Sequence, residues 1–418
     1  MNNIIIHGNA IVGQSGGPTA AINATLAGVI SGMLKQKKST LYGMRNGIDG
    51  VLCDHLINLS ETFTDENGSI REDDLALLAH TPAAALGSCR HKLPAADDLA
   101  GEQTYEKIIE IFKKYDIRTF FYIGGNDSMD TVAKLSFYTE KVGYPMTLIG
   151  VPKTIDNDLM GTDHTPGFGS AAKFVATVTR EIIFDCAVYT VPAVTIVEIM
   201  GRDAGWLTAA AAIGRVVDGI APDYVYLPER DFSMEGFMDD LRAALAKHPN
   251  VVVAISEGIH LADGTPVGAA SGVGPDAFGH VQLGGAGKAL EYAVREQIGC
   301  KVRSIELNLP QRCGAHLLSA TDIEESLRTG EGAVMAAAQG VSGEMMTIDR
   351  VSNAPYRTEI GHKPVAAIAN QVRYVDAAYI NEAGNNITDA GCHYLAPVIE
   401  GKISLPYAGG VPKFYRFD

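Results

Sequence analysis

The sequence predicts an α/β protein with mainly parallel sheets, divided into more than one domain. Apolar, strand-like runs alternate with helix-like runs almost throughout the chain, which is the rhythm of βαβ units. Glycine is abundant at 45 residues, as many strand-to-helix turns with close backbone approach would require. At 418 residues the chain also exceeds a typical single domain.

The elements follow in order. Residues 9–13 read as a strand and 19–34 as a helix. Residues 105–114 are amphipathic, with Ile108, Ile109, Ile111 and Phe112 on the apolar side, and a strand ending at Ile123 follows. A helix over 128–137 leads to a strand over 146–151 and a longer helix over 169–184. Next come a strand over 194–200, a small-residue helix over 205–213, a strand over 223–227 and a helix over 234–247. Residues 251–256 are all β-formers apart from small residues, 287–297 read as a helix and 301–307 as a strand. A helix over 322–339 is preceded by the cap candidates Ser319 and Thr321. Glycine and proline cluster at 161–168, where a change of domain is expected. The chain is expected to cross back later, because 251–308 carries a sheet pattern of its own. The final sixty or so residues mix short strands and turns and carry no motif tied to chemistry.

Composition narrows the function. A hydrophobic fraction of 46% with 20% charged residues suits a globular protein with a sizeable core. The formal charge of -15 argues against nucleic acid or an anionic membrane as a partner. A phosphorylated substrate would need a local cluster of Lys and Arg. The six cysteines are scattered, with no CxxC pair and no zinc spacing, and read as reduced thiols of a cytoplasmic protein. No signal peptide opens the chain, and the apolar stretch 187–197 is too short to span a bilayer.

Three turns carry the chemistry. Gln14-Ser15-Gly16-Gly17-Pro18 joins a strand to a helix, and its paired glycines let backbone N–H groups face an anion; a tight turn without a ligand reads equally well. Gly124-Gly125-Asn126-Asp127-Ser128 repeats the pattern after the next strand, although Asp127 and Ser128 also suit a helix N-cap. Pro152-Lys153-Thr154-Ile155-Asp156-Asn157-Asp158 is the most informative. Its carboxylates at i and i+2 can face one way in an extended segment, where they repel unless a cation or proton separates them. A surface turn rich in Asp and Asn is the bland alternative. In an open parallel sheet these turns meet at the carboxyl ends of adjacent strands. Carboxylates for a metal and a base beside a lysine for an anion suit phosphoryl transfer: Asp156 accepts a proton, Lys153 offsets charge on the transferring group and Asp158 helps hold Mg²⁺.

Cations recur near strand ends at Arg90, Arg202, Arg303 and Arg312, as phosphate clamps or as ordinary ion-pair partners. Glu257 follows a strand and could accept hydrogen bonds from sugar hydroxyls or cap a helix. Gly284-Gly285-Ala286-Gly287-Lys288 imitates a nucleotide loop, but its spacing is wrong and Ala289 stands where Ser or Thr belongs, so it reads as a glycine-rich helix entry. Among the histidines, His316 near Arg312 is the one to watch, with a structural role favoured.

In order from Gly13 to Arg312, these segments resemble the phosphofructokinase family, in its diphosphate-dependent branch. The resemblance implies two Rossmann-like three-layer domains with the active site in the cleft between them. It implies a phosphoryl-donor domain over 1–160, joined by a later returning segment, a sugar-phosphate domain over 161–345 and a packed extension over 346–418. It places diphosphate on Ser15, Gly16, Gly17, Arg90, Gly125 and Lys153. It places the sugar phosphate on Thr154, Ile155, Asp156, Met200, Gly201, Arg202, Glu257, Arg303 and Arg312. Asp156, Lys153 and Asp127 are the implied catalytic set, and Asn126 and Asp158 the implied Mg²⁺ contacts. ATP-using members usually carry glycine at the positions of Asp127 and Lys153, so both residues point to diphosphate. The implied reaction is reversible phosphoryl transfer from diphosphate to the 1-hydroxyl of fructose 6-phosphate. A homodimer or homotetramer is implied, with Arg303 reaching a neighbouring subunit's site. Three positions depart from the pattern. Asn126 replaces a common aspartate, residues 189–195 lack a second interface arginine, and 316–325 lack the expected tyrosine–arginine motif. The last two leave room for other acceptors such as sedoheptulose 7-phosphate. The competing readings are an ATP-dependent sugar-phosphate kinase of the same fold and a non-catalytic regulatory subunit that binds sugar phosphate.

Overall fold

The computed structural model describes residues 6–36, 39–95, 99–268 and 285–417. Two sheets organise them. The first contains β1 (Asn9–Gln14), β2 (Leu41–Met44), β3 (Leu56–Asn58), β4 (Ile117–Gly124) and β5 (Thr147–Pro152). The second contains β6 (Ala193–Ile199), β7 (Tyr224–Tyr226), β8 (Asn250–Ser256) and β9 (Lys301–Glu306). The chain then returns to the first sheet as β10 (Glu344–Asn353) and β11 (Tyr356–Pro364). The strand orders are β11-β10-β5-β4-β1-β2-β3 and β7-β8-β6-β9. The second sheet is parallel throughout, and in the first only β3 and β11 run antiparallel to their neighbours.

The continuous apolar runs are buried on both faces, as parallel strands between helical layers must be. On β4, Phe121 and Ile123 face one core while Phe120 and Tyr122 face the other. On β8, Val252 and Ala254 alternate in the same way with Val251, Val253 and Ile255. One face of the first sheet is covered by the helices Ile22–Gln36 and Ala320–Ala338. These two helices approach at reciprocal glycines: a Cβ on Gly28 would lie 2.2 Å from the Leu327 carbonyl oxygen, and one on Gly330 2.2 Å from that of Thr25. The other face is covered by Leu99–Lys114 and Asn126–Lys141.

Several expectations are refined. The strands that return to the first sheet are β10 and β11, whereas 251–308 contributes β8 and β9 to the second. The small-residue helix expected at 205–213 is one short turn, Trp206–Ala209, continued as the 3₁₀ helix Ala210–Val216. The cap at Ser319 forms, its hydroxyl accepting from the Asp322 N–H at 3.3 Å. Gly285 opens the helix Ala286–Gln297, and the Gly287 N–H donates to the buried Glu198 carboxylate at 2.7 Å. That entry is occupied by the protein's own acid; Gly284 lies outside the described residues. His316 packs edge-on against Phe174. All six cysteines are free thiols. Among the described residues no helix is long and apolar enough to cross a membrane.

A different histidine anchors the loop that follows β5. His164 is buried, with Nε2 2.6 Å from Glu325 and Nδ1 2.8 Å from Asp163. Burial opposes its charge, but the two carboxylates outweigh that and raise its pKa to about 9. Burial likewise opposes ionisation of Asp163 and Glu325, and His164 outweighs it, holding both carboxyls below their usual range. The folded-state pKa of His164 lies above its unfolded value. Its stabilisation is therefore complete below about pH 6.5 and disappears as the pH rises through about 9. The carboxylates act oppositely, and their contribution is lost on acidification. His164→Leu is expected to cost about 3–5 kcal/mol, because it strands the Glu325 charge. It should also flatten the decline of Tm between pH 7 and 9. A variant that keeps the parent's alkaline slope would remove His164 as its source.

Candidate active site

Sheet register assembles the site. In the first sheet β4 lies between β1 and β5, with Gln14 opposite Ile123 and Gly124 opposite Pro152. The three expected turns therefore leave adjacent strand ends. The Ser15 N–H donates to the Ile123 carbonyl at 2.9 Å, and the Lys153 N–H to that of Gly124 at 3.0 Å. The segment bearing Arg90 is pinned to the first turn. Gly16 N–H donates to the Cys89 carbonyl at 3.2 Å, and Ser88 Oγ donates to that of Gly16 at 2.7 Å. At the second turn a Cβ on Gly124 would lie 1.8 Å from Ser128 Oγ, so this position excludes any side chain. Gly125 is the N-cap of Asn126–Lys141 and offers no side chain to the first-turn N–H groups. Asn126 and Asp127 thus lie in the first helical turn, and neither Asp127 nor Ser128 is the cap.

The third turn is not the extended segment expected. Ile155 and Asp156 bend, Asn157 adopts a left-handed φ of 55°, and the Asp156 N–H is held by Thr154 Oγ1 at 3.0 Å. Both Asp156 and Asp158 nonetheless reach one cleft of about 540 Å³. Gly16, Gly17, Arg90, Gly125, Asn126 and Asp127 line its first side, with Lys153 on its floor. Thr154, Ile155, Met200, Arg202, Glu257 and Arg312 line the remainder.

The far side is built by the second sheet, where Ile199 at the end of β6 lies opposite Ser256 at the end of β8. Gly201 has φ 133°, and a Cβ there would lie 2.6 Å from the Ala204 carbonyl oxygen. Its N–H donates to Glu257 Oε1 at 3.2 Å, which aims that carboxylate without any helix to cap. Arg202 Nε is buried and has no hydrogen-bond partner, which leaves a cationic donor for a ligand. Ser15 and Gly201 shape the turns but do not line the cleft themselves. Arg303 is exposed on β9, in a separate surface groove with Asp185, Cys186 and Thr195. Within one chain it does not reach the cleft.

Charge is sharply concentrated here despite the acidic chain. Arg90, Lys92, Lys153, Arg202 and Arg312 surround one space. Lys153 is almost fully enclosed, and its ammonium donates to the Gly17 carbonyl at 2.6 Å. Burial lowers its pKa to about 8, and the carboxylates of Asp156 and Asp158 limit that fall. Desolvation and the nearby Asp158 and Glu257 push Asp156 up to about 7, against the opposing pull of Lys153. Asp158 and Glu257 are raised as well, burial first. A carboxylate poised near neutrality beside an enclosed ammonium is suited to accept a proton while charge builds on a bound anion.

Sequence reading missed several contributors. Asp203 directly follows the Met200-Gly201-Arg202 turn, lines the cleft and raises Asp156. Its adjacency to that turn was the available signal. Lys92 lies two residues beyond Arg90 and pairs with Asp127 at 3.2 Å. Asn370 and Val372 come from the carboxyl-terminal region, which carried no signal at all.

The phosphofructokinase family profile matches residues 9–336. A pyrophosphate–fructose 6-phosphate 1-phosphotransferase of Halomonas elongata is 41% identical over 412 residues, covering 97% of this chain and 95% of that protein. Its counterpart in Xanthomonas campestris pv. campestris is also 41% identical, covering 98% and 96%. The crystal structure of a pyrophosphate-dependent phosphofructokinase from Nitrosospira multiformis is similar with a TM-score of 0.86 at 37% identity, covering 98% of this chain and 96% of that one.

Proposed function

Since the chain belongs to the phosphofructokinase family, we propose that its cleft transfers a phosphoryl group from diphosphate to the 1-hydroxyl of fructose 6-phosphate. The products are fructose 1,6-bisphosphate and phosphate, and the reaction is reversible. The observation that carries this reading is the enclosed Lys153 ammonium, seated between the first glycine turn and the Asp156 carboxylate.

Asp156 takes the proton of the attacking hydroxyl, whose oxygen forms the new bond to phosphorus while the bridging oxygen of diphosphate leaves with the second phosphate. Lys153 and Arg90 offset the charge that grows on that leaving group. Arg312 belongs to both halves: a Cβ on Gly17 would lie 3.5 Å from its Nη1, so it spans from the acceptor side to the donor turn. Arg202 and Glu257 hold the sugar phosphate, and Asp127 with Lys92 closes the space a nucleotide would need. The full base-and-lysine set disfavours a silent subunit, and the diphosphate-using relatives disfavour ATP as donor.

The residues present suit Mg²⁺. Asn126 Oδ1 is buried without a hydrogen-bond partner, and Asp158 shares its cleft. Among the described residues no group of three or more His, Cys, Asp or Glu is arranged to hold a metal. That suits an ion held by one or two protein oxygens together with substrate phosphates. Asn126 and Asp158 would hold it, and when bound it would neutralise charge on the transferring phosphoryl group. We also place the enzyme in the cytoplasm as a homo-oligomer, with Arg303 completing a neighbour's acceptor site.

A donor comparison tests the reading. With fructose 6-phosphate and Mg²⁺, turnover is expected with diphosphate and not with ATP. Turnover with ATP alone would overturn the donor assignment, and none with either would favour the non-catalytic reading.

A further inference from the structure

Residues 370–373 carry no motif, yet they touch both halves of the cleft. Asn370 and Val372 line it. The Gln371 carbonyl accepts from Asn126 Nδ2 at 3.1 Å, at the start of the donor-side helix. The Arg373 N–H donates to the Asp158 carbonyl at 2.8 Å, on the base-bearing loop. Beyond the cleft the segment is anchored. The Arg373 carbonyl accepts from Trp206 Nε1 at 2.9 Å, and the guanidinium lies 4.2 Å from the indole centroid. The guanidinium also donates to Tyr394 Oη at 2.9 Å, and Tyr394 donates in turn to Asp163 at 2.7 Å.

Asn126 is the closing link. Its amide carries a donor and an acceptor, and the donor is committed to Gln371 while the acceptor is buried without a partner. A carboxylate at this position would supply acceptors only and would face the Gln371 carbonyl with like polarity.

We infer that residues 370–373 form a strap that holds the donor-side helix start and the Asp156–Asp158 loop in register, with Asn126 as the positioning residue that fastens it. The inference rests on the cleft being the active site. Phosphoryl transfer depends on in-line placement of the reacting atoms, so a loosened strap acts on kcat more than on binding.

Asn126→Asp tests the strap. An acid in a first helical turn is favourable, so the fold is expected to survive. Trp206 is the single tryptophan of the chain, is 1% exposed and is bonded to the strap. Acrylamide quenching of the ligand-free protein therefore reads the strap without reference to catalysis. The variant is expected to raise the quenching constant roughly twofold, through local loosening. It should lower kcat about tenfold, with smaller changes in either KM. Arg373→Lys, which keeps the charge but not the planar contact with indole and Tyr394, is expected to change both readouts in the same direction. Unchanged quenching in both variants would overturn the strap. So would an Asn126→Asp variant whose kcat equals or exceeds the parent's, as a residue serving only as a metal contact would give. Failure of the donor assignment would leave the quenching comparison standing.

Discussion

Replacing Asp156 by alanine is expected to lower kcat by roughly two to four orders of magnitude while both KM values stay within a few-fold. The expectation rests on three features of the loop. Asp156 lines the cleft together with Asp158 and Glu257. Its backbone is fixed by Thr154 Oγ1 and by the left-handed turn at Asn157. Its carboxyl is pushed up to about 7, first by desolvation and then by Asp158 and Glu257. A base with that pKa is mostly ionised just above neutrality and still basic enough to take a proton. In the free enzyme kcat/KM should therefore fall on acidification through about 7, as Asp156 becomes protonated. It should fall again on alkalinisation through about 8, as Lys153 loses its proton. These limbs are apparent values of a coupled cluster. Asp156→Ala removes the acid limb. Because Asp156 also supports the charge on Lys153, the alkaline limb should move down. Steady-state kinetics across pH 5.5–9.5 check both effects. A variant that keeps kcat within about fivefold of the parent would transfer the base role elsewhere in the cleft, with Asp203 the first neighbour to examine.

Much of this site was legible because its chemistry is local in sequence. The turns at Ser15–Gly17, Gly124–Asp127 and Lys153–Asp158 each follow a run of β-formers, and parallel pairing of β1, β4 and β5 brings consecutive turns together without any long-range information. Residue type and spacing alone marked Lys153 and Asp156 as candidates, and both line the cleft. What escaped was the part set by tertiary contact. Asn370 and Val372 reach the cleft only because β10 and β11 return to the edge of the first sheet, and those strands read poorly. β10 pairs with β5 at only Glu344 and Met345 and is buried only over residues 345–348, and much of β11 is polar and exposed, so neither reads as a long buried strand. The pairing of Lys92 with Asp127 was also invisible, since it joins a loop to a helix start 35 residues away. The turn at Asn157 was read as extended although Asn favours the left-handed region, because the residue types suit both backbones and the packed loop selects one.

Lys153→Met is the second large expectation. Methionine approximates the lysine stem in volume, so the enclosed position should remain packed while the charge is lost. The ammonium donates to the Gly17 carbonyl and would lie 3.4 Å from a Cβ at Gly16, so it occupies the concave face of the donor turn. Removing a preorganised cation from a site where phosphate charge develops is expected to cost roughly two to three orders of magnitude in kcat. The KM for diphosphate should rise more than that for fructose 6-phosphate, because the contact lies on the donor side. A second signature separates this from simple loss of binding. Lys153 opposes the upward push on Asp156, so its removal must raise the Asp156 pKa and move the acid limb above 7. Lys153→Arg should not restore the rate. The guanidinium is wider than the ammonium, and the site is only 3% exposed against two backbone glycines. Rates for the parent, Met and Arg forms over a range of diphosphate concentrations and pH decide the matter. A Met variant whose acid limb stays at the parent's position would show that Lys153 and Asp156 do not share the field the fold builds around them.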